Sequence, residues 1–200
     1  MLAEPGVPAN DVVFPESGLV SVVARSPNGR QIEVGVFGLE GMGSTAVALG
    51  VDQTPHQTYV QMAGHGHRLP AAVLRGAMDQ SATLRELMLR YVQSFLVQVA
   101  ETAVANGINT VEQRLARWLL IVHDRVQQDD LAITHEFLSL MLGVRRTGVT
   151  LALHVLEGGG MIRSTRGLVT VLDRAKLKQT ARDCYGSAQA EYDRLFGLLR

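Results

Sequence analysis

Thr134-His135-Glu136-Phe137-Leu138-Ser139-Leu140-Met141-Leu142-Gly143-Val144-Arg145-Arg146-Thr147-Gly148-Val149-Thr150-Leu151-Ala152-Leu153-His154-Val155-Leu156 decides the fold. The run reads as two short helices joined by a tight turn. The Thr134 hydroxyl can accept from free amides of a first helical turn, which makes it a candidate N-cap. Phe137, Leu138 and Met141 recur at helical spacing. Gly143 stands where the first helix must stop and reverse, and glycine permits the left-handed conformation that such a stop uses. Val149, Ala152, Leu153 and Leu156 then form a second apolar set, three and four apart. Two helices with this turn make a helix-turn-helix, whose second helix can enter the major groove of DNA.

Arg145, Arg146, Thr147, Gly148 and Thr150 cluster in the first turns of that second helix, with Leu151 and His154 further along it. Arginine can bond two acceptors of guanine, and threonine suits a phosphate or a thymine methyl. A rival reading is a helical hairpin that packs in some core with its arginines in solvent. The next segment weighs against it. Met161-Ile162-Arg163-Ser164-Thr165 and Leu168-Val169-Thr170-Val171-Leu172 are β-prone runs around Arg166-Gly167, a hairpin signal. A hairpin directly after a recognition helix is a wing, with Arg163 and Arg166 turned toward the DNA backbone.

The net charge of zero conceals an asymmetry. Residues 133–200 carry ten Lys/Arg and six Asp/Glu, a net +4, while residues 1–132 carry nine and thirteen, a net −4. The basic excess lies on the motif, as attraction to phosphate requires. With 46% hydrophobic and 19% charged residues, the chain can bury a core and is not a disordered one. Its apolar runs are too short for a membrane span, and its start lacks a basic region followed by an apolar one. A cytoplasmic protein without a membrane partner is expected. A single cysteine, Cys184, excludes an intramolecular disulfide and a multi-cysteine metal site.

Residues 1–75 are β-rich and punctuated by glycine. Val12-Val13-Phe14, Leu19–Ala24, Gln31–Val36 and Thr58–Met62 read as strands, with a hairpin turn at Pro27-Asn28-Gly29. Short strands at this spacing suggest an antiparallel roll or barrel. Leu69-Pro70-Ala71-Ala72-Val73-Leu74 predicts a short helix with Pro70 in its first turn. Thr83-Leu84-Arg85-Glu86 has the capping-box pattern and opens a long apolar helix ending at Asn106-Gly107. That helix is either a core helix or one that buries one face on the roll and another on a second copy of itself. The dimer is preferred, with Leu84, Met88, Tyr91, Phe95 and Val99 as its interface. Thr110-Val111-Glu112-Gln113 is a second capping box, opening a helix to about Val126. After Asp173 the pattern is helical through Leu177, Cys184, Tyr185, Tyr192, Leu195 and Leu198. The expected fold class is α+β, with an incomplete antiparallel β-roll at 1–80, a dimerisation helix at 81–107, a winged helix-turn-helix at 108–176 and a helical extension at 177–200.

This order, with Ile133–Thr150, Gly160-Met161-Ile162 and Arg166-Gly167, resembles the cyclic-AMP receptor protein / fumarate-nitrate regulator superfamily of bacterial transcription factors. The resemblance implies that Arg146 reads a base, that Thr147 is a neighbouring contact and that Arg145 and Gly148 face phosphate. Leu151 falls where the best-known members carry a second base-reading arginine, so a different target sequence is expected. The resemblance also implies a roll of the cyclic-nucleotide-binding type. Yet Ser44 follows Gly41-Met42-Gly43 where those members have glutamate, and no arginine stands near His56-Gln57 to grip a phosphate. Cyclic AMP is therefore not expected, and any effector of a degenerate pocket near Gly43, Ser44, His56 and Gln57 is unknown. The roll also begins late against the family pattern: its first strand and leading helix are expected to be absent.

Other chemistry finds little support. His65-Gly66-His67 lacks a third ligand for a metal or haem, and no metal is expected. Cys184 reads as structural rather than redox-active. Ser44, His56 and Asp52 lack the context of a hydrolytic triad, and an enzyme is not expected. The expectation is a homodimeric regulator of double-stranded DNA, with RNA polymerase as a further partner. The alternative is a sensor that binds a ligand or partner and whose winged helix does not bind DNA specifically.

Overall fold

The computed structural model describes residues 1–197. Its first half is built from five strands: β1 (Asp11–Pro15), β2 (Leu19–Arg25), β3 (Gln31–Phe37), β4 (Gln57–Met62) and β5 (Gly66–Pro70). β2 is central, antiparallel to both β3 and β4, so Val20 faces Phe37 on one side and Val60 on the other. β1 and β5 pair separately, Val13 opposite Arg68. The β2–β3 hairpin turns at Ser26–Arg30, where Gly29 takes φ +82°. β5 escapes a periodicity reading because Gly66, His67 and Arg68 are all exposed and carry no alternation.

Helices α1 (Thr45–Ala48) and α2 (Ala71–Gln80) complete the roll. Pro70 is not in the first turn of α2 but just before it: it ends β5 with ψ 134°. α3 spans Ala82–Ile108. Its N-cap is Ser81, whose hydroxyl accepts from Leu84 N at 3.2 Å, and not Thr83. Leu84 therefore stands at the third position and no capping box forms. At the far end α3 runs through Asn106-Gly107. The chain leaves the helix only at Asn109, where it becomes extended to start the next cap. That cap is the expected box at Thr110 and Gln113, opening α4 (Val111–Val126).

Of the five residues read from sequence as a dimer interface, three are turned inward in the chain's own fold. Met88 and Tyr91 are buried, and Leu84 packs on the same cluster, so these three face the chain's own roll. Phe95 lies against Gly35 of β3 and Val99 is half-buried. Every residue on that list is apolar at helical spacing, and spacing alone cannot say which apolar stripe a helix turns inward. The outward stripe is Leu89, Gln93, Leu96, Ala100, Ala103 and Gly107, all exposed and alternately four and three residues apart.

The second half contains β6 (Asp130–Leu131), α5 (His135–Leu142), α6 (Arg146–Gly158), β7 (Ile162–Thr165), β8 (Leu168–Val171), α7 (Arg174–Ala181) and α8 (Ser187–Phe196). β8 is the middle strand of a small antiparallel sheet, between β6 and β7. The C-terminal helical pattern is broken at a 3-10 turn, Arg182–Cys184, so that α8 doubles back and packs along α3. Leu198 lies outside the described residues.

Two apolar cores result. One joins α1, α2 and α3 to the inside of the roll through Val12, Met42, Leu74 and Tyr91. The other runs without a break from Leu19, Val23 and Val36 of the roll to Leu119, Leu138, Leu153 and Val169 of the second half. No helix among the described residues is long and apolar enough to cross a membrane.

Candidate nucleic-acid interface

Thr134 caps α5, its hydroxyl accepting from Phe137 N at 3.1 Å. Gly143 ends the helix at φ +62°. An added Cβ there would lie 2.8 Å from Ile32 Cδ1, so glycine is needed for both conformation and approach. The chain then turns directly into α6, with Arg145 at its N-cap. Val149, Ala152, Leu153 and Leu156 are buried, which fixes the opposite face of α6 outward.

That outward face meets the wing across an open groove of about 720 Å³. Thr134, Arg146, Thr150, His154 and Arg166 all line it. His135 Nδ1 lies 3.2 Å from Thr150 Oγ1, and the Thr150 hydroxyl donates to Arg146 O at 3.1 Å. Glu157 Oε1 accepts from Ser164 N at 2.9 Å, which ties the wing to α6. Arg145, Thr147 and Leu151 are exposed on α6 beside the groove, Gly148 is half-buried and open to space on its Cβ side, and Arg163 is exposed on β7. The free amides of the first turn of α6 favour an anion at its start.

Glu136 and Glu157 also line the groove, and sequence spacing does not single them out. They offset Arg146 and Arg166 there. Glu136 stands in the quoted motif, but only the packing of α5 against α6 reveals that it shares this space.

The degenerate-pocket residues are not gathered in the same way. Gly43 donates to Val13 O and Ser44 leads into α1 in a left-handed conformation, φ 59°. Gln57 pairs with Val23, whereas the end of β3 before the Gly43 loop pairs with Val20, three residues away along β2. A Cβ on Gly41 would strike the Tyr91 hydroxyl at 2.4 Å, so α3 closes on this loop directly. His65 and His67 both point to Glu16, at 3.5 and 3.1 Å, in exposed positions. Among the described residues, no group of three or more His, Cys, Asp or Glu is arranged to hold a metal ion. Cys184 is buried, its thiol raised by that burial.

One buried carboxyl group joins the roll to the winged helix. Glu33 of β3 is buried; its Oε1 accepts from Trp118 Nε1 of α4 and its Oε2 from Ser21 Oγ, both at 2.6 Å. Ser21 Oγ also meets Gln61 Oε1, while Gln61 Nε2 has no partner. One hydroxyl proton cannot serve two acceptors. Two arrangements resolve this: the amide of Gln61 turns over and donates to Ser21, or Glu33 is protonated and donates to it. They differ by one proton. Burial pushes the Glu33 carboxyl up to about 7, against hydrogen bonds from Ser21 and Trp118 that pull it down. A further tie is Arg125 of α4 to Glu40 at 2.7 Å.

A winged helix-turn-helix docked on a small β-roll, with a long helix between, defines the class. Residues 113–180 match the family model of the Crp-like helix-turn-helix domain. The whole chain is similar to a CRP-family transcriptional regulator of Thermus thermophilus, at 23% identity over 90% of this chain and 92% of that one, with a TM-score of 0.73. It is also similar to FixK2 from Bradyrhizobium japonicum, at 15% identity over 91% and 92%, TM-score 0.75. A CRP/FNR-family regulator, also from Thermus thermophilus, matches at 20% identity over 90% and 92%, TM-score 0.70. No curated protein sequence matches the chain. Residues 113–180 are thus a Crp-like helix-turn-helix domain, and the chain has the fold of the Crp/Fnr transcriptional regulators.

Proposed function

We propose that the protein is a transcription regulator that binds specific DNA sequences as a homodimer. The observation that carries this reading is the groove between α5, α6 and the wing, into which Thr134, Arg146, Thr150, His154 and Arg166 converge. Arg146 and Thr147 read base edges, Leu151 meets a thymine methyl, and Arg145, Gly148, Arg163 and Arg166 hold phosphates. The dimer forms along the outward stripe of α3. Leu89 and Leu96 occupy it toward the start of the helix, and Ala100, Ala103 and Gly107 allow close approach toward its end. Two recognition helices then address a two-fold site. The roll is the sensor or scaffold of the regulator, and cyclic AMP has no arginine to grip it there.

Selection of bound genomic fragments, followed by mobility shift, tests the reading. The parent should retard a subset of fragments at moderate salt, and Arg146→Ala should not. Retardation of every fragment equally by both proteins would overturn specific binding. Light scattering tests the assembly: the parent should have twice the chain mass and Leu96→Glu the mass of one chain.

A further inference from the structure

We propose that the cavity enclosed by β3, α3, the end of α4 and α8 binds a neutral or cationic small molecule about the size of one aromatic ring. The cavity measures about 150 Å³. A space of that size holds roughly one benzene ring. Val36, Leu39, Phe95 and Tyr192 give it apolar walls.

Its polar lining separates it from a packing void. Ser94 and Gln98 are buried on the inner face of α3, one turn apart, where a purely structural helix would place apolar residues. Burying polar groups costs stability unless they are used. Ser94 keeps its hydroxyl on the helix, donating to Tyr91 O at 2.7 Å. Gln98 Oε1 accepts from Val36 N at 2.7 Å, which leaves its amide group as the donor it can offer. The pattern of an apolar slot with a few placed polar groups is that of a ligand site.

Charge selects the ligand class. Glu40, Asp124 and Asp193 line the cavity; Glu40 is held by Arg125 at 2.7 Å and Asp124 by Arg174 and the Tyr185 hydroxyl, so among the described residues Asp193 is the lining carboxylate without a cationic partner. That one carboxylate remains over the two ion pairs, which disfavours carboxylates and phosphates and favours neutral or cationic rings.

One wall can open. α8 has no buried residue of its own and is held on the roll by Tyr192, whose hydroxyl donates to Glu40 O at 3.0 Å and whose ring packs on Phe196. The segment before it passes through two left-handed positions, Arg182 at φ 51° and Gly186 at φ 120°. The opposite, outward face of α3 carries Leu89 and Leu96, so pairing of two chains along that face leaves the cavity uncovered. The floor joins the roll, through Glu40, to the end of α4, through Arg125. A ligand that prefers this closed arrangement biases how the winged helix is held.

The test uses the full chain without DNA, so its outcome is independent of the DNA-binding reading. Saturation-transfer NMR is run with phenol, benzamidinium and benzoate, three probes of one size and different charge. Phenol and benzamidinium should bind, and benzoate should bind about tenfold more weakly or not at all. Backbone amides of Ser94, Gln98 and Gln189 in labelled protein should shift with phenol, while those of α6 and the wing should not. Ala188→Trp fills the cavity from α8 and should abolish phenol binding; Ala188→Leu should weaken it partly. Absence of binding by phenol and benzamidinium, equal binding of benzoate, or amide shifts confined elsewhere would each overturn the proposal.

Discussion

Under the proposed function, Arg146 and Leu151 divide the chemistry of base reading on α6 between them. Arg146 faces the groove, and Leu151, 62% exposed, stands five residues further along the helix beside it. An isobutyl group there suits the thymine methyl and offers no hydrogen bond to guanine. DNA selected by the parent should carry A·T pairs at the position under Leu151, and Leu151→Arg should move that position to G·C. Under the same proposal Arg163, exposed on the wing, holds a phosphate. Arg163→Ala should weaken binding evenly across sequences and reduce the salt slope by about two for the dimer, measured by titration at several salt concentrations. These residues are legible in sequence because the motif is local: all lie within 33 positions of Thr134. Glu33 is not legible, because its partners Ser21 and Trp118 come from 12 and 85 residues away in the chain. Its carboxyl, raised from 4.5 to about 7 in the fold, makes the native state bind more protons than the unfolded chain between those values. Stability should therefore fall as pH rises from 4.5 to 7, by roughly 3 kcal/mol, and stay at that lower level above. Urea midpoints across this range should show the decline in the parent and lack it in Glu33→Gln.

At the scale of elements, helix ends carry the sharpest distinctions. The capping box at Thr110 is readable because Thr and Gln stand three apart and both side chains are used. The same pattern at Thr83 and Glu86 misleads, because Ser81 reaches the Leu84 amide first and starts the helix two residues earlier. Ser81→Ala should cost about 1 kcal/mol and Thr83→Ala close to nothing, by denaturant melts. α3 teaches the same lesson about faces. Its apolar residues surround much of the helix, so sequence locates the element but not the side that meets the roll. The structure settles that side by Tyr91, whose hydroxyl donates to Met42 O at 3.2 Å. α8 is legible as helix and illegible as a wall: its packing on α3 depends on a reversal at Arg182, a residue type that gives no warning of positive φ.

The whole molecule is held by a core that ignores the boundary between its halves. Leu19, Val23 and Val36 of the roll share it with Leu119, Leu138 and Leu153 of the winged helix. Thermal unfolding followed by calorimetry and by Trp118 fluorescence should give one coincident transition. Two separated transitions would show that the shared core contributes little. Continuity of this kind also bears on portability. In a modular regulator the reading head could be cut at Asn109 and grafted onto another sensor. Here such a cut strips the indole nitrogen of Trp118 of its carboxylate and bares the side of Gly143 that Ile32 covers. A chimaera that keeps this winged helix would have to carry β3 across with it, so a strand of the roll and the helices it braces would be inherited together.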